Sequence, residues 1–134
     1  MIYHGNRCKL REDVTAEQLQ EALTCLEEQG KGIPAVKSFI FGPEHNSEFD
    51  WSAIFVLEDL DGYEEYLKHP LHTRSELVAF PLMEKFESFD ISDAPDPELG
   101  ARIAELQRQN FESKPELVAL VANLAAHSGS SAPQ

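Results

Sequence analysis

Cysteine is scarce in this chain, and the two present, Cys8 and Cys25, cannot build a disulfide framework or an all-cysteine zinc site. Buried packing is the expected role of both. Basic residues are also few: 11 Lys and Arg stand against 24 Asp and Glu, a formal charge of -13. Such a surface repels nucleic-acid phosphates and anionic lipid headgroups, so neither nucleic acid nor membrane is an expected partner. Long apolar runs are missing as well. The start, MIYHGNRCKL, has no signal-peptide core, and no window approaches the roughly 20 apolar residues that span a bilayer. The expected location is the cytoplasm. At 134 residues there is length for one core and an appendage, not for two ordinary domains.

What the chain does contain is an alternation of strand and helix signals. Residues 2–10 suit a strand, with Ile2, His4, Asn6, Cys8 and Leu10 on one face and Tyr3, Gly5, Arg7 and Lys9 on the other. Thr15 and Gln18 have capping-box spacing, Val14 and Leu19 can staple the helix start, and Leu19, Ala22, Leu23 and Leu26 recur at helical period up to Gly30 or Gly32. Residues 35–42 read as a second strand, with Lys37, Phe39 and Phe41 opposite Val36, Ser38 and Ile40, and residues 51–57 as a third. Asp59 can cap a helix carrying Tyr63, Tyr66 and Leu67. Pro70 interrupts it before a helical stretch to Ala79, and a last strand runs from Phe86 to Ile91. The order β-α-β-β-α-β predicts an α+β, ferredoxin-like fold, a four-stranded antiparallel sheet with helices on one face.

The open face of that sheet argues for a homodimer. Strand four carries Phe86, Ser88 and Asp90 on one side and Glu87, Phe89 and Ile91 on the other. Large apolar groups on both faces need a second sheet to cover the one without helices. The domain is expected over 1–92. A proline-rich linker at 93–97 then leads to a helical extension over 98–127, its helices at 98–111 and 115–126, and 128–134 (SGSSAPQ) is expected to be disordered. The stripes Leu99, Ile103, Leu106 and Leu117, Leu120, Val121, Leu124 predict that the extension docks on the barrel or on a partner subunit.

Several segments resemble one family. Tyr66-Leu67-Lys68-His69-Pro70-Leu71-His72 resembles the signature Y-x-x-H-P-x-H of the stress-responsive dimeric A/B barrels (Dabb). Phe89-Asp90 resembles its closing F-D, and Ile33-Pro34-Ala35-Val36 with Gly42 its I-P-G-V…G segment, Ala35 replacing the usual glycine. His4 stands where the family's first strand carries a histidine. The resemblance covers about residues 1–92 and implies a dimeric α+β barrel. Its enzymatic members, polyketide cyclases of the olivetolic acid cyclase kind, hold a poly-β-ketone between sheet and helices. That resemblance implies His72 as general base, Tyr66 as its partner and His4 as a neighbour across the cavity, with Asn6, Trp51 and His69 contacting substrate and no cofactor.

The chemistry of these residue types fits. An imidazole takes a proton from carbon beside a carbonyl near neutral pH, and a phenol donates to the enolate oxygen that develops. A structural reading stands beside it: His69-Pro70 starts the next helix and both histidines bond backbone groups there. Zinc on His4, His69 and His72 is disfavoured because the proline spoils convergence, so no metal is expected. Asn6-Arg7 also resembles the heme-degrading monooxygenases, but their tryptophan and histidine positions hold Leu57 and Glu76. Asn6, Trp51 and Tyr66 further match a cofactor-free monooxygenase set. The competing class is a non-enzymatic stress protein with a collapsed pocket. An enzyme needs a mostly apolar cavity of roughly 300 Å³ or more beside His72.

Overall fold

The first helix starts where the sequence predicts. Thr15 accepts from the Gln18 amide at 3.1 Å, and the Gln18 side chain accepts from the Thr15 amide at 2.9 Å, a closed capping box. In the computed structural model, which describes residues 1–124 and 126–128, the chain forms β1 (Ile2–Leu10), α1 (Ala16–Gly32), β2 (Val36–Pro43) and β3 (Trp51–Leu57). There follow α2 (Leu60–Lys68), α3 (Pro70–Ala79), a short 3₁₀ turn at Phe80–Leu82, β4 (Met83–Ser92), α4 (Leu99–Glu112), α5 (Pro115–Ala122) and β5 (Ala126–Ser128).

The sheet order is β2-β3-β1-β4-β5, antiparallel except for β5, which runs parallel to β4. This is the expected ferredoxin-like α+β arrangement, with β1 at its centre. Two features depart from expectation. The pairing of β2 with β3 slips between Val36 and Ser38, so Val36 lies opposite Leu57 while Phe39 lies opposite Phe55. A bulge spends one residue without advancing the register. Val36 therefore packs on the core with Phe39 and Phe41 instead of facing away from them. The second departure is at the C-terminus: the helix expected to reach residue 126 stops at Ala122, where the Asn123 amide turns back to Leu120 and Val121 carbonyls. Ala126–Ser128 then adds to the sheet edge, and the tail expected to be disordered lies, from 129 onward, outside the described residues.

The core has two parts. Beneath the helices, Phe55, Leu57, Tyr63 and Tyr66 are fully buried with Ile33 and Leu67, and Ile103 of α4 joins them. A second cluster joins Phe80 and Phe86 to Phe111, Leu117, Val121 and Leu124, so the extension docks on its own barrel. Both stripes read from the sequence thus find partners.

Gly30 is fixed by close approach. A Cβ there would stand 2.4 Å from the Phe39 ring, which is itself stacked on Phe41 and Phe55 at 6.3 and 5.9 Å. Alanine improves helix propensity by up to about 1 kcal/mol, but overpacking against a ring held between two others costs about 1–3 kcal/mol. Gly30→Ala is expected to lower the urea midpoint; an unchanged or raised midpoint would mean that Phe39 gives way freely. No helix of the described residues is long and apolar enough to cross a membrane.

Candidate functional site

Alternation along β1 sends His4, Asn6 and Cys8 toward the helices, and the cavity they help to line lies between the sheet and helices α1 and α3. Tyr66 from α2, His72 and Glu76 from α3, Gln29 from α1 and Trp51 from β3 complete its polar and aromatic lining, amid aliphatic groups such as Leu23 and Leu26. Its volume is about 110 Å³, smaller than the expected 300 Å³. Phe80 and Phe86, in edge-to-face contact at 5.0 Å, line one part of it together with Leu82 and Met83. The space suits a molecule of few heavy atoms.

Five of the six residues singled out from sequence meet at this cavity: His4, Asn6, Trp51, Tyr66 and His72. His69 does not. It caps α3, its Nδ1 accepting from the Leu71 amide at 3.1 Å with Pro70 in the first turn, which is a helix-start role. The alternative in which both histidines bond backbone groups therefore holds for His69 alone. The His72 ring packs on Tyr66 with centroids 4.5 Å apart, and His4 meets Tyr66 edge-on at 5.8 Å.

One acidic residue was missed. Glu76 stands one helical turn beyond His72, and its Oε1 lies 3.0 Å from His72 Nδ1. That contact is off the line of a well-directed hydrogen bond, and Nδ1 has no hydrogen-bond partner among the described residues. The i,i+4 spacing from histidine to glutamate was the signal that could have found it. Burial pushes the Glu76 carboxyl up, but His72 and Lys114 together outweigh it and hold it below its ordinary value. Lys114 Nζ donates to Glu76 Oε1 at 2.8 Å and to the Leu67 carbonyl at 3.1 Å, while Asn110 Nδ2 donates to Glu76 Oε2 at 3.1 Å. A carboxylate kept ionised beside Nδ1 favours the proton on that nitrogen and leaves Nε2 as the basic atom.

The other half of the site is more tightly bonded. His4 Nδ1 lies 2.8 Å from both Asp90 Oδ1 and the Tyr63 hydroxyl; Tyr63 donates to Asp90 at 2.9 Å and accepts from Gln107 Nε2 at 2.9 Å. Asn6 Nδ2 reaches His4 Nε2 at 3.4 Å. Tyr66 accepts from Gln29 Nε2 at 2.8 Å, which leaves its hydroxyl proton available. Burial pushes the Tyr66 phenol well above its ordinary value, helped by Glu76 and Asp90, so it remains a neutral donor. Burial likewise pushes the Cys8 thiol up to about 12, with Asp50 and Glu44 adding to the effect, which excludes a thiolate nucleophile there. Gln29 Oε1 and Asn6 Oδ1 are buried without a hydrogen-bond partner among the described residues. Among those residues no three His, Cys, Asp or Glu side chains gather as a metal site.

Solved structures share this fold. A dimeric ferredoxin-like protein of unknown function from Thermobifida fusca is 22% identical with a TM-score of 0.62, covering 68% of this chain and 89% of its own. A hydroxynitrile lyase from Passiflora edulis is 12% identical with a TM-score of 0.61, covering 71% of this chain and 96% of its own. A cofactor-independent oxygenase from Streptomyces nogalater is 14% identical with a TM-score of 0.57, covering 72% and 95%. No curated protein sequence matches significantly. The family of the stress responsive A/B barrel domain, Dabb, matches residues 2–93, a stretch that includes every strand and helix from β1 through β4, and the chain belongs to that family.

Proposed function

We propose that this protein is a cytoplasmic homodimer whose subunits each bind a small carbonyl compound of few heavy atoms and move a proton on the carbon beside the carbonyl, in an isomerisation or cyclisation. His72 Nε2 is the base, the Tyr66 hydroxyl donates to the oxygen that gains charge, and His4 closes the cavity from β1. The observation that carries this reading is the tilted packing of Tyr66 against His72 in a mostly apolar cavity, with Glu76 behind the imidazole. A neutral phenol at a developing enolate and a base backed by a carboxylate are the two groups that such a transfer requires. Gln29 Oε1 and Asn6 Oδ1 favour a substrate that also carries a hydroxyl. A lyase and an oxygenase among chains of this fold are in keeping with small-molecule chemistry on the scaffold. The two cysteines, both free and buried, are in keeping with a reducing compartment.

The test is exchange of α-protons for deuterium in small hydroxyketones and β-diketones, followed by proton NMR in D₂O. Exchange above the buffer rate is the expected result. No exchange and no shift of His72 or Tyr66 resonances with any compound would sink the reading in favour of a non-enzymatic barrel.

The dimer rests on the sheet face away from the helices. The register aligns Ile40, Ile54, Gly5 and Phe89 in one row across four strands, and Ser38, Val56, Tyr3 and Ile91 in the next. Phe89 lies over Gly5, where a Cβ would stand 2.3 Å from its ring, and Ile40, Phe89 and Ile91 are exposed. A contiguous apolar patch of this kind is an interface, and the Thermobifida fusca relative is a dimer. Phe89→Asp is expected to convert the dimer to monomer in sedimentation velocity. A variant that sediments like the wild type would place the interface elsewhere.

A further inference from the structure

The family match ends at residue 93, yet three side chains beyond it reach the site. Gln107 bonds Tyr63 in the His4 network, and Asn110 and Lys114 hold the two oxygens of Glu76. All three are buried. A lysine is rarely taken out of water merely to fasten a tail, because desolvating an ammonium group costs several kcal/mol unless its partners compensate. Tethering of this extension is already supplied by Phe111, Leu117, Val121 and Leu124 in the second core cluster.

We infer that the C-terminal extension supplies working parts of the site, with Lys114 and Asn110 as positioning residues that hold Glu76 ionised and oriented toward His72 Nδ1, so that Nε2 is presented to the cavity as the base. The inference rests on the assignment of His72 as base, and it adds to the barrel a second layer that the family domain does not contain. The charged and titratable groups facing Glu76 are His72 from its own helix, Lys114, and Tyr66 from α2. Without Lys114, Glu76 keeps His72 and Asn110 while burial continues to oppose its charge, so the carboxyl protonates at a higher pH and, once protonated, is a donor that favours the opposite His72 tautomer.

Both consequences are read on the intact protein by NMR, with no substrate required. The Glu76 side-chain carboxyl is titrated through its carbon resonance, and the His72 tautomer is read from its ring nitrogens. Lys114→Met is expected to raise the Glu76 midpoint by about 1–3 pH units and to move His72 from the Nδ1–H toward the Nε2–H form near neutral pH. Lys114→Arg should restore both signals. Asn110→Ala, a milder change, should move both in the same direction by less, and it decides the matter if Lys114→Met does not fold. A folded Lys114→Met or Asn110→Ala protein with both signals at wild-type positions overturns the inference, and so does an arginine variant indistinguishable from methionine. Failure of α-proton exchange is a separate result: it removes the proposed reaction while these signals still report whether the extension controls Glu76.

Discussion

His72→Ala is expected to reduce α-proton exchange by about 10²–10⁴-fold, the contribution of a positioned general base, while the dimer and its melting temperature stay nearly unchanged. The small structural effect follows from the contacts. The His72 ring packs tilted against Tyr66 and, among the described residues, its side chain has a polar contact with Glu76, and Glu76 keeps Lys114 and Asn110 when the imidazole is removed. Most of the loss should fall on kcat, since the imidazole acts when charge moves and contributes little to holding the ground state. A variant that loses folding along with activity would assign His72 to packing instead. Tyr66→Phe makes a useful companion: it keeps the ring against His72 and removes only the hydroxyl donor.

The second large effect is on stability. Lys114→Met leaves the Glu76 carboxylate buried without the ammonium group that bonds it at 2.8 Å, a change of the kind that costs about 3–5 kcal/mol when one partner of a buried pair is removed. Its dependence on pH identifies the cause. In the wild type the Glu76 carboxyl is held below its ordinary value of 4.5. Its contribution is therefore complete above pH 4.5 and is lost as pH falls through the depressed folded value. In the variant one of the groups that hold the carboxyl down is gone, so its folded value rises and the folded state takes up the proton more readily than the wild type does. The gap between wild type and variant should be widest near pH 8 and narrow toward pH 5, as measured by urea unfolding at both. A gap equal at the two values would mean that the loss is one of packing around the lysine stem, not of charge.

How much of this was legible from residues alone is best judged at particular positions. The capping box at Thr15, the alternation that puts His4 and Asn6 on one face of β1, and Asp59 as the cap of α2 are local patterns, and local patterns survive into the fold because they act within one element. Phe89 and Ile91 were legible as sharing one face of β4 for the same reason, but which face turns outward was not. The bulge after Val36 was not, because a slip in register depends on the partner strand and leaves no mark in the alternation of a short run. His69 and His72 shared one motif and were read together. Three residues apart, and divided by the start of a helix, one became a cap and the other faced the cavity. Glu76 had the spacing to be noticed, but spacing alone did not say that its side chain was buried.

The sequence by itself determined the order of elements, the lack of an apolar run long enough to span a bilayer and the apolar groups on both faces of the sheet, which follow from short-range periodicity, while the neighbourhood of His4, Tyr66 and His72 was implied by the family resemblance. Only the tertiary structure decided the size of the cavity and the charge state of Glu76. The first depends on how Phe80 and Phe86 fill the space under the extension. The second depends on bringing Lys114 from 38 positions away into a desolvated contact. Both are sums over residues distant in the chain, and a linear pattern carries no record of which distant groups will share one low-dielectric pocket.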